Sequence, residues 1–211
     1  MYLLRNKLFL LAVVVATATV WCGCERKVDN ATTFFAFDSL IENQSRELES
    51  HHAGLHKTAR MDELSDDTLV TRLSAEEWAR ELEIFSALRD INKPVNVSNY
   101  DVQRNEPDVK SNLRLLSVQS KEKGMKVSYL KVYYLDEPSK LRRIEGEVIE
   151  DNSLYDSRKK LILNFDNIHN KSMLISYSIL GGQKMMLGDS VTYQIEGKVI
   201  YPGATALEDV N

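Results

Sequence analysis

Beyond residue 24 this chain has no cysteine at all, so the folded part can hold neither a disulfide nor a thiolate metal site. It also lacks an excess of basic charge. Lys and Arg number 27 against 31 Asp and Glu, for a net charge of -4, and taking away residues 1–23 with Arg5 and Lys7 moves this to about -6. Binding of nucleic acid by bulk charge is excluded on that count, because counterion release needs clustered cations. No apolar run is long enough to cross a bilayer. The longest, Leu8 to Trp21, has fourteen residues where a spanning helix takes about 20. P-loop, dinucleotide-fingerprint, His-Glu-x-x-His and Gly-x-Ser-x-Gly patterns are missing too, so the chain reads as a non-enzyme with no catalytic residue, no cofactor and no metal.

What is present begins at the N-terminus. Arg5 and Lys7 form a positive n-region, and Leu8 to Trp21 supplies an h-region of a signal segment. Val20-Trp21-Cys22-Gly23-Cys24-Glu25 then resembles the lipobox of bacterial lipoproteins, in which a small residue precedes the cysteine that becomes the lipidated first residue. Gly23 before Cys24 matches that pattern, Trp21 before Cys22 does not, and Trp21 stands where the family usually has Leu. Cys24 is therefore the expected lipidation site. The alternatives are an ordinary signal peptide with two incidental cysteines and a plain transmembrane anchor. By resemblance, processing adds two or three acyl chains, and two suffice for stable attachment. The expected location is the cell envelope or periplasm, lipid-anchored to a membrane whose leaflet the residues after Cys24 do not fix, with the outer membrane favoured over the inner. The membrane is the expected partner, together with envelope proteins.

The expected organisation is a signal peptide at 1–23, a lipidated N-terminus and tether at 24–33, and a single α+β domain at 34–211. Phe34, Phe37, Ile41 and Leu48 predict a helix over 33–50. Ser74 and Glu77 form a capping-box pattern ahead of Trp78, Leu82, Phe85 and Leu88, which predicts a second helix to about Ile91, stopped by Asn92-Lys93-Pro94. Between Leu55 and Leu73 the pattern is weak, a hairpin or loop. From 112 to 201 the period falls to two, and six strands are expected at 112–119, 127–135, 141–149, 154–165, 172–180 and 190–201. Turn residues such as Asp166-Asn167 and Gly181-Gly182 separate them, and connections this short imply antiparallel neighbours. The predicted fold is thus α+β, with two N-terminal helices (helical part 34–92) packed on one face of a curved antiparallel β-meander of about six strands (112–201).

Several residue groups invite a chemical reading. Gly188-Asp189-Ser190 and Asp166-Asn167-Ile168-His169 resemble the two blocks of GDSL-type hydrolases, but here they stand in reverse order, and no histidine follows Ser190. His51, His52 and His56 have metal-ligand spacing, yet Gly54 interrupts the helix such spacing needs. Tyr129, Tyr133, Tyr134, Tyr155, Tyr177 and Tyr193 suit either a cavity for an apolar ligand or ordinary strand packing. Lys121, Lys123, Lys126, Lys131, Arg142 and Arg143 suggest an anion patch, while the interspersed Glu122, Asp136, Glu137, Glu145 and Glu147 suggest a mixed solvated surface. Trp78-Ala79-Arg80-Glu81-Leu82, Ile91-Asn92-Lys93-Pro94, Ser176-Tyr177-Ser178-Ile179 and Gly181-Gly182-Gln183-Lys184 resemble stretches of small lipoproteins of the Bacteroidota type, a group to which no activity is attached. The sequence thus favours a structural or interaction component of the envelope. The alternative is a carrier or binder of apolar molecules that uses a helix-lidded concave sheet, and an apolar pocket of about 300 Å³ or more would mark it.

Overall fold

The computed structural model describes residues 33–185 and 188–202. The expected lipidation residue Cys24, the expected signal segment and most of the expected tether fall outside them.

Helix α1, Phe37–Ser50, follows from Phe37, Ile41, Gln44, Ser45 and Leu48, which form its buried stripe. Helix α2, Ala75–Leu82, starts at the capping box expected from the sequence. The Ser74 hydroxyl accepts from the Glu77 backbone N–H, and the Glu77 carboxylate accepts from the Ser74 N–H at 2.8 Å. The chain then tightens into a 3-10 helix over Glu83–Asn92. Leu82, Phe85, Leu88 and Ile91 explain the change. They recur every three residues, so three residues per turn stacks them on one line, and all are 2% exposed or less.

Nine strands follow the order β1 (Gly54–Met61), β2 (Leu64–Val70), β3 (Tyr100–Pro107), β4 (Arg114–Ser120), β5 (Val127–Tyr134), β6 (Leu141–Asp151), β7 (Tyr155–Ile168), β8 (Lys171–Met185) and β9 (Ser190–Ile200). They form one antiparallel sheet ordered β2-β1-β9-β8-β7-β6-β5-β4-β3. This overturns the expected six-stranded meander under two helices. The six expected strands are β4 to β9, and three more, β1, β2 and β3, come from segments with no clean alternation. β2 shows why. All seven of its residues are exposed, so nothing selects an apolar period. The stretch 34–92 is accordingly one long helix, a β-hairpin and a short helix running into a 3-10 segment. The β7–β8 turn also shifts, from Asp166-Asn167 to His169-Asn170, whose φ values of 51° and 62° mark a two-residue type I′ hairpin.

Laid flat, nine strands at about 4.8 Å spacing would span roughly 40 Å. Yet one short helical layer touches both ends of the sheet: Glu81 accepts from Lys57 of β1, and Phe34, just before α1, lies 6.4 Å from Tyr100 of edge strand β3. The sheet therefore curls around the helical layer and has a concave inner face. Gln44 pins α1 inside it, donating to Ser172 O and accepting from Leu174 N, both at 2.8 Å. Asn92 ties the 3-10 segment to the chain before α1, accepting from Phe34 N and donating to Phe35 O.

Small residues on the inner face set how closely this layer packs. A Cβ on Gly146 would lie 2.6 Å from Leu88 Cδ2. Tyr177 lies across its β9 partner Gly197, where a Cβ would meet the ring at 2.2 Å, and Tyr193 lies likewise across its β8 partner Gly181 at 2.1 Å. Gly197→Ala is expected to destabilise the fold by about 1–3 kcal/mol through this clash. Gly182→Ala, whose Cβ would meet nothing nearer than 3.9 Å, should stay within about 0.5 kcal/mol of the parent in urea unfolding.

Candidate apolar site on the concave face

The helical layer covers only part of the inner face. Along β1 the inward residues run Leu55, Lys57, Ala59, Met61, and their β9 partners are Val199, Gly197, Ile195 and Tyr193. Leu55 and Val199 are buried under the helices. Lys57 marks the boundary: its Nζ donates to Glu81 Oε1 on α2 at 2.6 Å, and the Tyr177 hydroxyl donates to the same oxygen. Burial, then the hydrogen bond to Glu81, pushes the Tyr177 phenol far above its ordinary range, so it stays a neutral donor.

Past this polar boundary the inner face is open. Ala59, Met61, Leu64, Tyr193 and Ile195 line a groove of about 380 Å³, joined by Arg60, Ser65 and Asp66. Met61 is 47% exposed and Leu64 68%, large apolar side chains left in water. The helical half is filled instead, by Trp78, Phe85, Leu88 and Ile91, all fully buried. A chain of methylenes laid in the groove would gain about 0.8 kcal/mol per buried CH₂. No single motif announces this site, because its residues come from the hairpin β1–β2 and from β9, more than 120 positions away in sequence.

The residues singled out from the sequence are scattered. Tyr177 and Tyr193 lie on the concave face, while Tyr129 lies on the outer face with its hydroxyl donating to Glu145 Oε1 at 2.9 Å. His51 stacks on His169 at 5.6 Å, and His56 Nε2 lies 3.0 Å from Asp67 on the outer side of the hairpin. Among the described residues, no three His, Cys, Asp or Glu side chains gather as a metal would need. Asp166 pairs with Met173 and Ser190 with Lys184, opposite ends of β8 that lie about 36 Å apart at about 3.3 Å per residue, so the hydrolase-like blocks never meet. No described helix is long and apolar enough to cross a membrane.

The outer face carries a polar network instead. Glu145, 14% exposed, accepts from Tyr129, from Arg143 Nη2 at 2.9 Å, and lies 2.9 Å from Lys160 Nζ. Arg143 also reaches Asn164, which donates to Ser176. Burial alone would raise the Glu145 carboxyl, but the hydrogen bonds from Lys160, Arg143 and Tyr129 outweigh it and lower the pKa to about 2. A depressed carboxylate stabilises the fold above its unfolded pKa, near 4.5, and that stabilisation is lost as pH falls toward 2. Acid titration of unfolding free energy should show this loss in the parent and a shallower slope over the same window in Glu145→Gln.

Comparison with known proteins returned no matching family model and no matching curated protein. The Bacteroidota-type resemblance of Trp78–Leu82 and Ser176–Ile179 therefore has no counterpart among them. Among solved structures, a LolA superfamily protein from Nitrosomonas europaea is similar over 78% of this chain and 92% of its own, at 11% identity and a TM-score of 0.26.

Proposed function

We propose that this protein is a lipid-anchored component of the cell envelope that binds an apolar chain, such as an acyl tail, on the open half of its concave face. It acts as a carrier or binder and not as an enzyme. The apolar groove of about 380 Å³ supports the reading: it exceeds the roughly 300 Å³ expected of a small-molecule site, and it lies in line with the buried inner face. The purely structural role, favoured by the sequence, leaves Met61 and Leu64 exposed beside half-buried Tyr193 and Ile195 without a purpose. Tyr-on-Gly packing supplies a smooth aromatic wall, and the Lys57–Glu81–Tyr177 cluster supplies a polar stop at the floor.

The test is a fluorescent fatty acid, dansyl-undecanoate, titrated into the protein. Saturable binding is expected, weakened about tenfold or more by Met61→Asp and by Leu64→Asp. Both side chains are already exposed, so thermal unfolding should hardly change. Absence of binding to the parent, or equal binding by both variants, would remove the carrier reading.

The anchor rests on Cys24, with its small preceding Gly23 and the charge-free segment before it. Mass spectrometry of the N-terminal peptide from membrane-extracted protein should show acylated Cys24. A Cys24→Ser chain is expected in the soluble fraction; recovery of that variant with membranes at parental levels would defeat the proposal.

A further inference from the structure

A second cavity, of about 670 Å³, lies at the opposite end of the sheet, between the start of α1 and the β5–β6 and β7–β8 turns. Its lining includes Lys140, Arg142 and Lys171 and not one carboxylate, in a chain where acidic residues outnumber basic ones. The remaining walls are of two kinds. Asn43, Asn167, Asn170 and Ser139 contribute a polar lining, and Phe35, Leu40 and Leu141 an apolar one.

Arg142 reaches this place through a break in pairing. β5 and β6 shift register between Tyr133 and Tyr134, with Tyr133 opposite Arg143 and Tyr134 opposite Leu141, so Arg142 is the extra residue of a β-bulge. Bulges re-aim a side chain, and here the consequence is that neighbouring arginines part company. Arg143 joins Glu145 on the outer face, whereas Arg142 joins the cavity wall. Its side chain is only 24% exposed, its Nη1 is buried and makes no hydrogen bond, and the carboxylate beside it, Asp166, stands off at 3.8 Å. With Nη1 turned to Asp166 and closed to solvent, the remaining N–H groups of this largely buried guanidinium are the ones left for an anion in the cavity. The other two cations also have acids outside the lining: Lys140 stands 3.8 Å from Asp136, and Lys171 donates to Glu47 at 2.6 Å while its side chain remains 57% exposed.

We propose that this cavity is an anion site for a phosphate group, with Arg142, Lys140 and Lys171 as its cationic donors. The phosphate comes either free in solution or as the headgroup of a phospholipid, and the apolar wall of Phe35, Leu40 and Leu141 admits the first carbons of the latter. The site is independent of the groove, which lies about 30 Å away along β8 at about 3.3 Å per residue.

Inorganic phosphate titrated into the full chain, followed by amide shifts of Asn167, Asn170 and Lys171, is the direct test. Saturable shifts are expected in the parent. They should weaken about tenfold or more in Arg142→Gln and less in Lys171→Gln, while Lys126→Gln, whose cation lies outside the cavity, should bind as the parent does. Lys171→Gln, on an exposed turn, keeps the test decisive where Arg142→Gln fails to fold. Flotation of the Cys24→Ser chain with phosphatidylcholine vesicles, with and without phosphatidic acid, separates the sources. Capture that requires phosphatidic acid and Arg142 assigns a headgroup, and phosphate binding without capture assigns the free anion. No saturable shift with phosphate and no capture by phosphatidic acid overturns the site, as does parental binding by both cavity variants.

Discussion

The approach of the 3-10 segment to the sheet at Gly146 governs the architecture. Leu88 fills the space that a side chain at 146 would take, and its contact brings Leu82, Phe85 and Ile91 down as one row on the inner face. Burying each such side chain contributes about 1.5–3 kcal/mol, set against the chain entropy lost in ordering the segment. Because three residues per turn align the whole row, a short helix suffices to fill half of a nine-stranded concavity. It cannot fill the rest, and the open half of that face is a direct result.

The glycines at 181 and 197 extend the same logic along the β8–β9 ladder. Each lets a cross-strand tyrosine lie flat, so the wall is apolar and shallow where larger residues would have closed it. Tyr177 belongs to the filled half and Tyr193 to the open one. Between them sits Glu81, satisfied by Lys57 and Tyr177, a polar layer that keeps the two halves distinct. This carboxylate is half-buried, and its two partners tie β1 and β8 to α2.

A long β8 spans the distance between the two proposed sites: its C-terminal half pairs with the β9 residues Tyr193 and Ile195 of the groove, and its first residues, Lys171 and Ser172, line the cationic cavity. The separation follows from strand length alone. An apolar surface and a cationic pocket at opposite ends of one rigid ribbon do not compete for the same ligand group, and each is open to solvent on its own side.

From the residues alone, much of this was legible: α1 from its apolar stripe, the start of α2 from Ser74 and Glu77, and β4 to β9 from an alternation that bulges interrupt in β6 at Arg142 and in β8, where Met173 and Leu174 are both buried. The row Leu82, Phe85, Leu88, Ile91 carried the 3-10 signal in its spacing of three, though α and 3-10 periods differ too little over ten residues to separate with ease. The β1–β2 hairpin showed only as a weak hairpin or loop between Leu55 and Leu73, and β3 left no trace, since an exposed edge strand is held by backbone hydrogen bonds that any side chain permits. The sequence by itself determined the alternation, the caps and the absence of thiols from the folded part. Only the tertiary structure decided which half of the curled sheet stayed open and which way Arg142 turned, because a register shift and a contact across 120 residues depend on partners that no local pattern encodes.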